Sequence, residues 1–467
     1  MNLLKKKSYQ IDMTDGSIVG KLIRFSGPLI FSGILQLLFN AADVVVVGKF
    51  AGDNSLAAVG STGALVNLLV NLFVGLSVGT NVVAANFYGS GKKTEISETV
   101  HTAILISIFS GILLTIVGVI GAKPILILME TPLEVLSKAT LYLQVYFAGI
   151  TSTMIYNFAS ALLRAKGDTK RPLYYLLFSG IINVILNLIF VIFLKMDVAG
   201  VALATVIAQT ISAILVVLCL IREDDEFKLV LKKLKINRDI LIRIVKIGVP
   251  AGFQGIMFSL SNVIIQSSVN SFGPVVVAGN SAASNIEGFV YVAMNGFAQG
   301  TLTFTSQNAG ACKYNRVKKV VIYSEIIVMI VGLVLGNLVY LFGNTLLGLY
   351  TDSPEVIQAG LVRLSIICTT YCLCGMMDVA GSSIRGLGHS LLPMFVTVIG
   401  VCGLRLLYVG TIFAVPKFHN LITLFFSYPI SWGLTFVVHC LCIGIILFKL
   451  NRPNKTAKTS KTSKTDR

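Results

Sequence analysis

The sequence predicts an all-α membrane protein with twelve transmembrane helices in two pseudo-symmetric six-helix bundles. Three features predict it: an apolar excess, a lopsided placement of basic residues, and an internal repeat. Of 467 residues, 55% are hydrophobic and only 13% charged, about half the charged share of an average soluble chain. That composition excludes an ordinary water-soluble enzyme. The net charge of +17 would suggest nucleic acid if Lys and Arg formed a stripe on a polar domain, but they stand in short clusters between apolar runs. The expected partner is therefore the lipid bilayer, not nucleic acid.

A bilayer core demands about 20 apolar residues per helix, because each backbone amide must find its partner within the segment. Runs that meet this demand cover 25–48, 62–87, 100–121, 141–163, 173–194, 199–221, 247–271, 279–308, 320–342, 361–384, 391–414 and 421–448. Residues 1–24 precede them as a polar segment carrying Lys5, Lys6 and Lys7. With no small-residue cleavage pattern, the first run reads as a retained helix rather than a signal peptide. The first six runs make one bundle, 25–221, and the last six another, 247–448. Between them, 222–246 opens with Arg222, Glu223, Asp224, Asp225 and Glu226 and continues through Lys232 and Lys233. It reads as a solvated linker whose second part lies on anionic headgroups, with a regulatory site as the alternative. The Lys/Thr/Ser-rich stretch 449–467 has no apolar anchor and reads as a disordered cytoplasmic tail.

Orientation follows from the basic residues. Of the 38 Lys and Arg, 31 fall on the side that carries both termini and the linker. Six fall on the other side (Lys49, Lys123, Lys138, Lys195, Arg363 and Lys417), and Arg405 lies inside a span. Basic loops stay inside, so the expectation is a multi-pass cell-membrane protein with both termini cytoplasmic. The eight cysteines sit mostly in apolar runs as small hydrophobes. Cys372/Cys374 and Cys440/Cys442 lack metal-site or redox spacing, so neither a metal centre nor a disulfide framework is expected.

Displacing the chain by about 221 residues brings its halves into register. Gly27-Pro28, Gly33 and Asn40 meet Val249-Pro250, Gly255 and Asn262; Gly75, Gly79 and Thr80 meet Gly296, Gly300 and Thr301; Gly89 meets Gly310; Arg164, Gly167 and Pro172 meet Arg385, Gly388 and Pro393. Six spans is an even number, so the repeats are parallel and related by an axis along the membrane normal. Two such bundles enclose a central cleft that rocking exposes to either side in turn. The glycine pairs are small-xxx-small faces for close helix approach.

These residues resemble the multidrug and toxic compound extrusion (MATE) family, from about Ile23 to Leu450. The resemblance is carried by Gly27-Pro28, by Asn40 to Asp43 with Gly48, and by Arg164 to Thr169 with Pro172. Further matches are Ala199 to Thr205, Gln307 to Gly310, and Ile384 to Gly388. It implies two six-helix lobes and export of organic, often cationic compounds coupled to inward proton or sodium flow. It also implies a monomer without a cofactor.

Ionisable residues within spans cost at least about 2.5–3.5 kcal/mol on insertion scales and so mark function. They are Asp43, Glu287, Asp378 and Arg405, with Glu325 nearer a helix end. No G-x-x-x-x-G-K-[ST] sequence accompanies them, so energy must come from an ion gradient, from a partner, or from nowhere. Asp43 lies about 27 Å along the first helix, in the outward half; it reads as the coupling acid, with a structural carboxylate as the alternative. The resemblance carries the rest of an N-lobe ion constellation onto Asn183, Asn187 and Thr205. Asn187 departs from the carboxylate that many relatives have there, which favours a proton over a sodium ion near Asp43. Pro28 either starts the first helix or allows a bend linked to Asp43. Glu287, Asp378, Asn40, Gln36, Asn157, Tyr291 and Asn262 are candidate substrate contacts. Glu287 is either a drug counter-charge or a helix-to-helix bond, and Arg405 reads as a structural lock to a carboxylate or to helix carbonyls. Two other functions compete: a lipid-linked saccharide flippase, which calls for several cations in the cleft, and an intramembrane enzyme. His101, His389, His419 and His439 have no ligand spacing, which speaks against the second.

Overall fold

In the computed structural model, which describes residues 9–451, the chain forms helices α1 (Ile18–Phe50), α2 (Asp53–Gly89), α3 (Lys93–Leu128), α4 (Leu133–Ala148), α5 (Ile150–Lys166), α6 (Lys170–Leu188) and α7 (Asp197–Ile221) in its first half. The second half holds α8 (Arg238–Asn270), α9 (Pro274–Gly310), α10 (Tyr314–Leu341), α11 (Gly343–Gly348), α12 (Pro354–Ile367), α13 (Tyr371–Gly386), α14 (Leu391–Thr397), α15 (Leu404–Tyr408) and α16 (Leu421–Asn451). Among the described residues nine helices are long and apolar enough to cross a bilayer, and a tenth span arises from α12 and α13, which meet at 47°. The remaining passes are α4 with α5, which meet at Gly149, and α9, whose outer half carries Asn280, Ser281, Ser284, Asn285 and Glu287. The fold is therefore all-α, with twelve passes. Both ends of the described chain and residues 222–237 lie at one end of the bundle, called here the linker end.

Several helices overrun their apolar runs. α1 begins at Ile18 and α8 at Arg238, about two turns or more before the apolar runs open, because an amphipathic end continues the backbone ladder outside the bilayer. Ser17 caps α1 by accepting from the Gly20 amide at 3.3 Å, and Asn237 caps α8 through the amides of Asp239 and Ile240. This corrects one reading of Pro28. It lies well inside α1, as Pro250 lies inside α8, so neither proline starts its helix. Each removes one donor from the ladder of an otherwise continuous helix.

The two bundles exchange helix ends. Ile18, Leu22 and Phe25 of α1 are buried in the core of the second lobe, with Phe297 and Phe304 of α9. Ile240, Ile244 and Ile247 of α8 are buried in the core of the first. The glycine faces make this possible. A Cβ on Gly75 or Gly79 would stand 2.3–2.4 Å from backbone atoms of Gly252 or Ile244, and one on Gly300 would stand 2.5 Å from Ser26 Oγ.

Only the second part of the linker is solvated, with Leu231, Lys232, Lys233, Lys235 and Ile236 exposed; the first part is docked. Phe227 and Leu229 are buried in the first lobe's core, and Glu223 pairs with Lys166 and Arg171. Asp225 also pairs with Lys166, and Glu226 with Lys93 at 2.6 Å. The Thr102 hydroxyl accepts from the Asn237 amide at 3.1 Å. Two apolar anchors and an ion-pair cluster suffice to dock a segment that reads as polar. The tail from residue 452 onward lies outside the described residues, as do residues 1–8.

Candidate functional site

Three helices of the first lobe supply the site, each through one face at helical spacing. α1 contributes Gln36, Asn40 and Asp43; α6 contributes Leu176, Ser179, Gly180 and Asn183; α7 contributes Thr205, Ala208 and Gln209. Spacings of three and four place these side chains on single stripes. They line a polar cavity of about 180 Å³, to which Phe39 adds one ring face. Phe39 reaches it because α6 has no side chain at Gly180: a Cβ there would lie 1.9 Å from the ring.

Asp43 is 8% exposed and stands in a closed ring of hydrogen bonds. Asn187 Nδ2 donates to Asp43 Oδ1 at 2.5 Å, and Thr205 Oγ1 donates to Asp43 Oδ2 at 3.3 Å. Asn183 Nδ2 donates to Thr205 Oγ1 and Asn187 Nδ2 to Asn183 Oδ1, both at 3.3 Å. The structure thus brings together all four residues expected to couple an ion. Two residues after Asn187, Ile189–Phe193 forms a π-helical turn, a distortion that often accompanies functional positions. The ring leaves one buried atom without a partner, Asn187 Oδ1.

The candidate substrate contacts do not form one site. Gln36 and Asn40 line the Asp43 cavity. Asp378 of α13 stands beside the Tyr291 phenol and the Arg385 guanidinium in the second lobe. Asn157 lies half-buried on α5, away from the cavity lining. Glu287 is held by Arg363: Nε donates to Oε2 at 3.1 Å, NH2 bonds Oε1, and NH1 donates to Asn280 Oδ1 at 2.7 Å. Asn262 lies 3.5 Å from Arg405 NH1. Among the described residues Arg405 meets neither a carboxylate nor a helix carbonyl, which corrects its reading: its guanidinium lies 4.1 Å over the Tyr428 ring and reaches Ser431 Oγ at 3.3 Å.

Arg363 corrects the sequence reading a second time. Counted there as an outer-loop charge, it is 5% exposed and buried among helices. Its position three residues inside the run 361–384 was the available signal. Gln209 was also missed, although it follows Thr205 by four residues and so shares its face.

Comparison with known proteins returns one family. The MatE family model matches residues 28–189 and 250–409, one block per lobe. The chain is 27% identical to the "Probable multidrug resistance protein YoeA" of Bacillus subtilis (strain 168), over 82% of this chain and 84% of that one. It is 24% identical to the "Probable multidrug resistance protein NorM" of Thermotoga maritima, over 83% and 84%. In fold it is similar to a structure described as the outward-facing conformation of a multidrug resistance MATE family transporter of the MOP superfamily, with a TM-score of 0.89, 21% identity and coverage of 96% and 100%. A MOP superfamily transporter from Pyrococcus furiosus, whose structure is described under a reversed polarity of the binding pocket, gives the same score at 22% identity over 96% and 99%.

Proposed function

The chain belongs to the MatE family of multidrug transporters, and from that premise we propose that it is a secondary antiporter that expels organic cations in exchange for protons by alternating access. One observation carries the reading: Asp43 is the only acid among the residues lining the first-lobe cavity, and its carboxylate is held by donors that can be replaced. Ionised, Asp43 accepts from Asn187 and Thr205 and attracts a cation across a low-dielectric wall. Protonated, it gains a donor that needs an acceptor, and the orphan Asn187 Oδ1 becomes one on rotation of the amide. Proton and passenger thus compete for one charge. A volume of about 180 Å³ is below the ~300–1,000 Å³ of drug-sized sites, so a passenger needs the lobes to part before it can seat.

Sodium is the second reading, and the same orphan oxygen favours it. Asp43, Asn183, Asn187 and Thr205 together offer hard oxygens of the kind an alkali cation takes, with a single formal charge among them. The flippase reading gains nothing from Arg363, because Glu287 neutralises that guanidinium. The linker end is assigned to the cytoplasm on the basic-residue count. Exposed Cys312, in the turn between α9 and α10, should then react with a membrane-impermeant maleimide only from the inside.

Proteoliposomes loaded with ethidium or tetraphenylphosphonium and given an imposed proton or sodium gradient provide the test. The parent should export under a proton gradient and Asp43→Asn should not. Equal export by Asp43→Asn removes the coupling assignment. Export driven by sodium alone selects the second reading.

A further inference from the structure

Residues 9–17, which precede α1, are not a loose leader. They run across the seam between the lobes at the linker end and bond to both. On the first lobe, the Ile11 amide donates to the Gly167 carbonyl at 3.2 Å. The approach is so close that a Cβ on Gly167 would lie 2.4 Å from the Ile11 carbonyl oxygen, and Gly167 itself holds φ +97°. On the second lobe, the carbonyl of fully buried Met13 accepts from Asn308 Nδ2 and from Arg316 Nε, each at 3.1 Å. Lys313 Nζ reaches the Thr14 carbonyl and the Asp15 carboxylate, both at 3.0 Å, and Arg316 NH2 reaches the Asp15 carbonyl at 2.8 Å.

Beneath this strap the lobes meet backbone to backbone. A Cβ on Gly89 would lie 1.9 Å from the Gln307 carbonyl oxygen, and one on Gly310 would lie 2.0 Å from that of Asn86. Gln307 Nε2 crosses the same seam to the Ala165 carbonyl at 2.7 Å. The Gln307 to Gly310 segment, which the coupling site leaves unused, therefore serves this seam: Gln307 bonds the opposite lobe, Asn308 holds the strap, and Gly310 permits the contact.

We infer that the strap Ile11–Asp15 is a latch on the linker-end gate, and that opening the cleft at that end requires it to release either Gly167 or the Asn308/Lys313/Arg316 cradle. This rests on the alternating-access reading, since a latch needs a gate that opens. The strap is anchored on both sides of a seam that must widen, and four of its six bonds come from the charged donors Lys313 and Arg316, which make stronger bonds than neutral pairs. Losing the four that Lys313 and Arg316 make should raise the ratio of linker-end-open to closed molecules by about tenfold.

Spin labels at the exposed positions Thr94 and Lys318, introduced as cysteines with Cys312 and Cys440 replaced by serine, report the gate by pulsed electron double resonance in full-length protein in liposomes. In Lys313→Ala/Arg316→Ala the longer-distance population should grow by that factor under conditions where the parent stays closed. An unchanged distribution in this variant, while the parent itself lengthens under a proton gradient with tetraphenylphosphonium, overturns the latch and leaves alternating access standing. A parent and variant that both hold the short distance under every gradient overturn the latch together with the antiport reading. If the double variant elutes aggregated, Asp15→Lys, which sets two like charges side by side at an exposed position, gives the milder form of the test. It should enlarge the open population by roughly twofold, and no change there counts against the latch.

Discussion

Arg363 and Glu287 hold each other's charge at a depth where neither is tolerable alone. Arg363 spends every guanidinium nitrogen on Glu287 or Asn280 and lies 5.6 Å from the Phe425 and Tyr428 ring centres. Removing one partner strands a buried charge, which costs about 3–5 kcal/mol, whereas replacing both with apolar residues is often close to neutral. Arg363→Met should therefore lower the unfolding temperature in detergent markedly, and Arg363→Met/Glu287→Met should recover most of the loss. A double variant as unstable as the single would show that the pair's polar bonds matter more than its charges. At the cavity, Gly180→Ala should push the Phe39 ring into the space beside Asp43. Overpacking of that kind costs about 1–3 kcal/mol, so apparent affinity for ethidium should drop by roughly tenfold with expression unchanged, as a transport titration would read. Asp43 stands out in the sequence because a carboxylate in an apolar run has few explanations, whereas Asn183, Asn187 and Thr205 enter only through the family resemblance. Arg363 was not, because a basic residue near the end of a run looks the same whether it faces water or a carboxylate.

At the level of helices, the glycine repeats have two separable jobs. Gly89 and Gly310 seat one lobe against the other, whereas Gly332 and Gly336 seat α10 against Cys372 and Cys368 within the second lobe, at Cβ distances of 2.6 and 2.0 Å. A methyl group at the first pair obstructs only the closed gate. A methyl group at the second obstructs the folded lobe in every state. Gly310→Ala should therefore leave the unfolding temperature within a few degrees of the parent while enriching the linker-end-open state in the spin-label assay. Gly336→Ala should instead lose roughly 1–3 kcal/mol of stability. Equal thermal losses in both would mean that the gate contact is part of the folding core. The sequence repeat matches Gly89 with Gly310 and marks Gly75/Gly79 and Gly296/Gly300 as close-approach faces, while Gly332 and Gly336 carry no such mark; the period of 221 residues is visible in the pairing of Gly89 and Gln307 with Gly310 and Asn86. It did not announce which helix each would meet. The exchange of α1 and α8 ends between lobes comes from tertiary packing, and an apolar stripe does not encode its partner.

Across the whole molecule, the twelve passes were readable because a bilayer imposes one rule on every segment: about 20 residues that satisfy their own amides. Outside the bilayer that rule lapses. The linker carries so many charges that Phe227 and Leu229 look incidental, yet they anchor it, and its acids close an ionic cluster over the ends of α5 and α7. Burial pushes the Glu223 carboxyl up, but hydrogen bonds and charges from Lys166 and Arg171 outweigh it and hold the group below the usual glutamate range. A carboxylate with a depressed pKa in the folded protein adds stability above its unfolded value of about 4.3 and surrenders it as the pH falls through the lower, folded-state value. Glu223→Gln should therefore unfold some 2–4 °C below the parent at pH 7, the shift expected of about 1 kcal/mol in a lobe of this size. Titrating both proteins downward should narrow the gap from about pH 4.3 and close it only in more acid solution, below the depressed value at which the folded parent's own carboxylate takes up its proton. A gap that persists unchanged into that acid range would mean that the linker is held by Phe227 and Leu229 alone, with Lys166 and Arg171 contributing packing rather than charge.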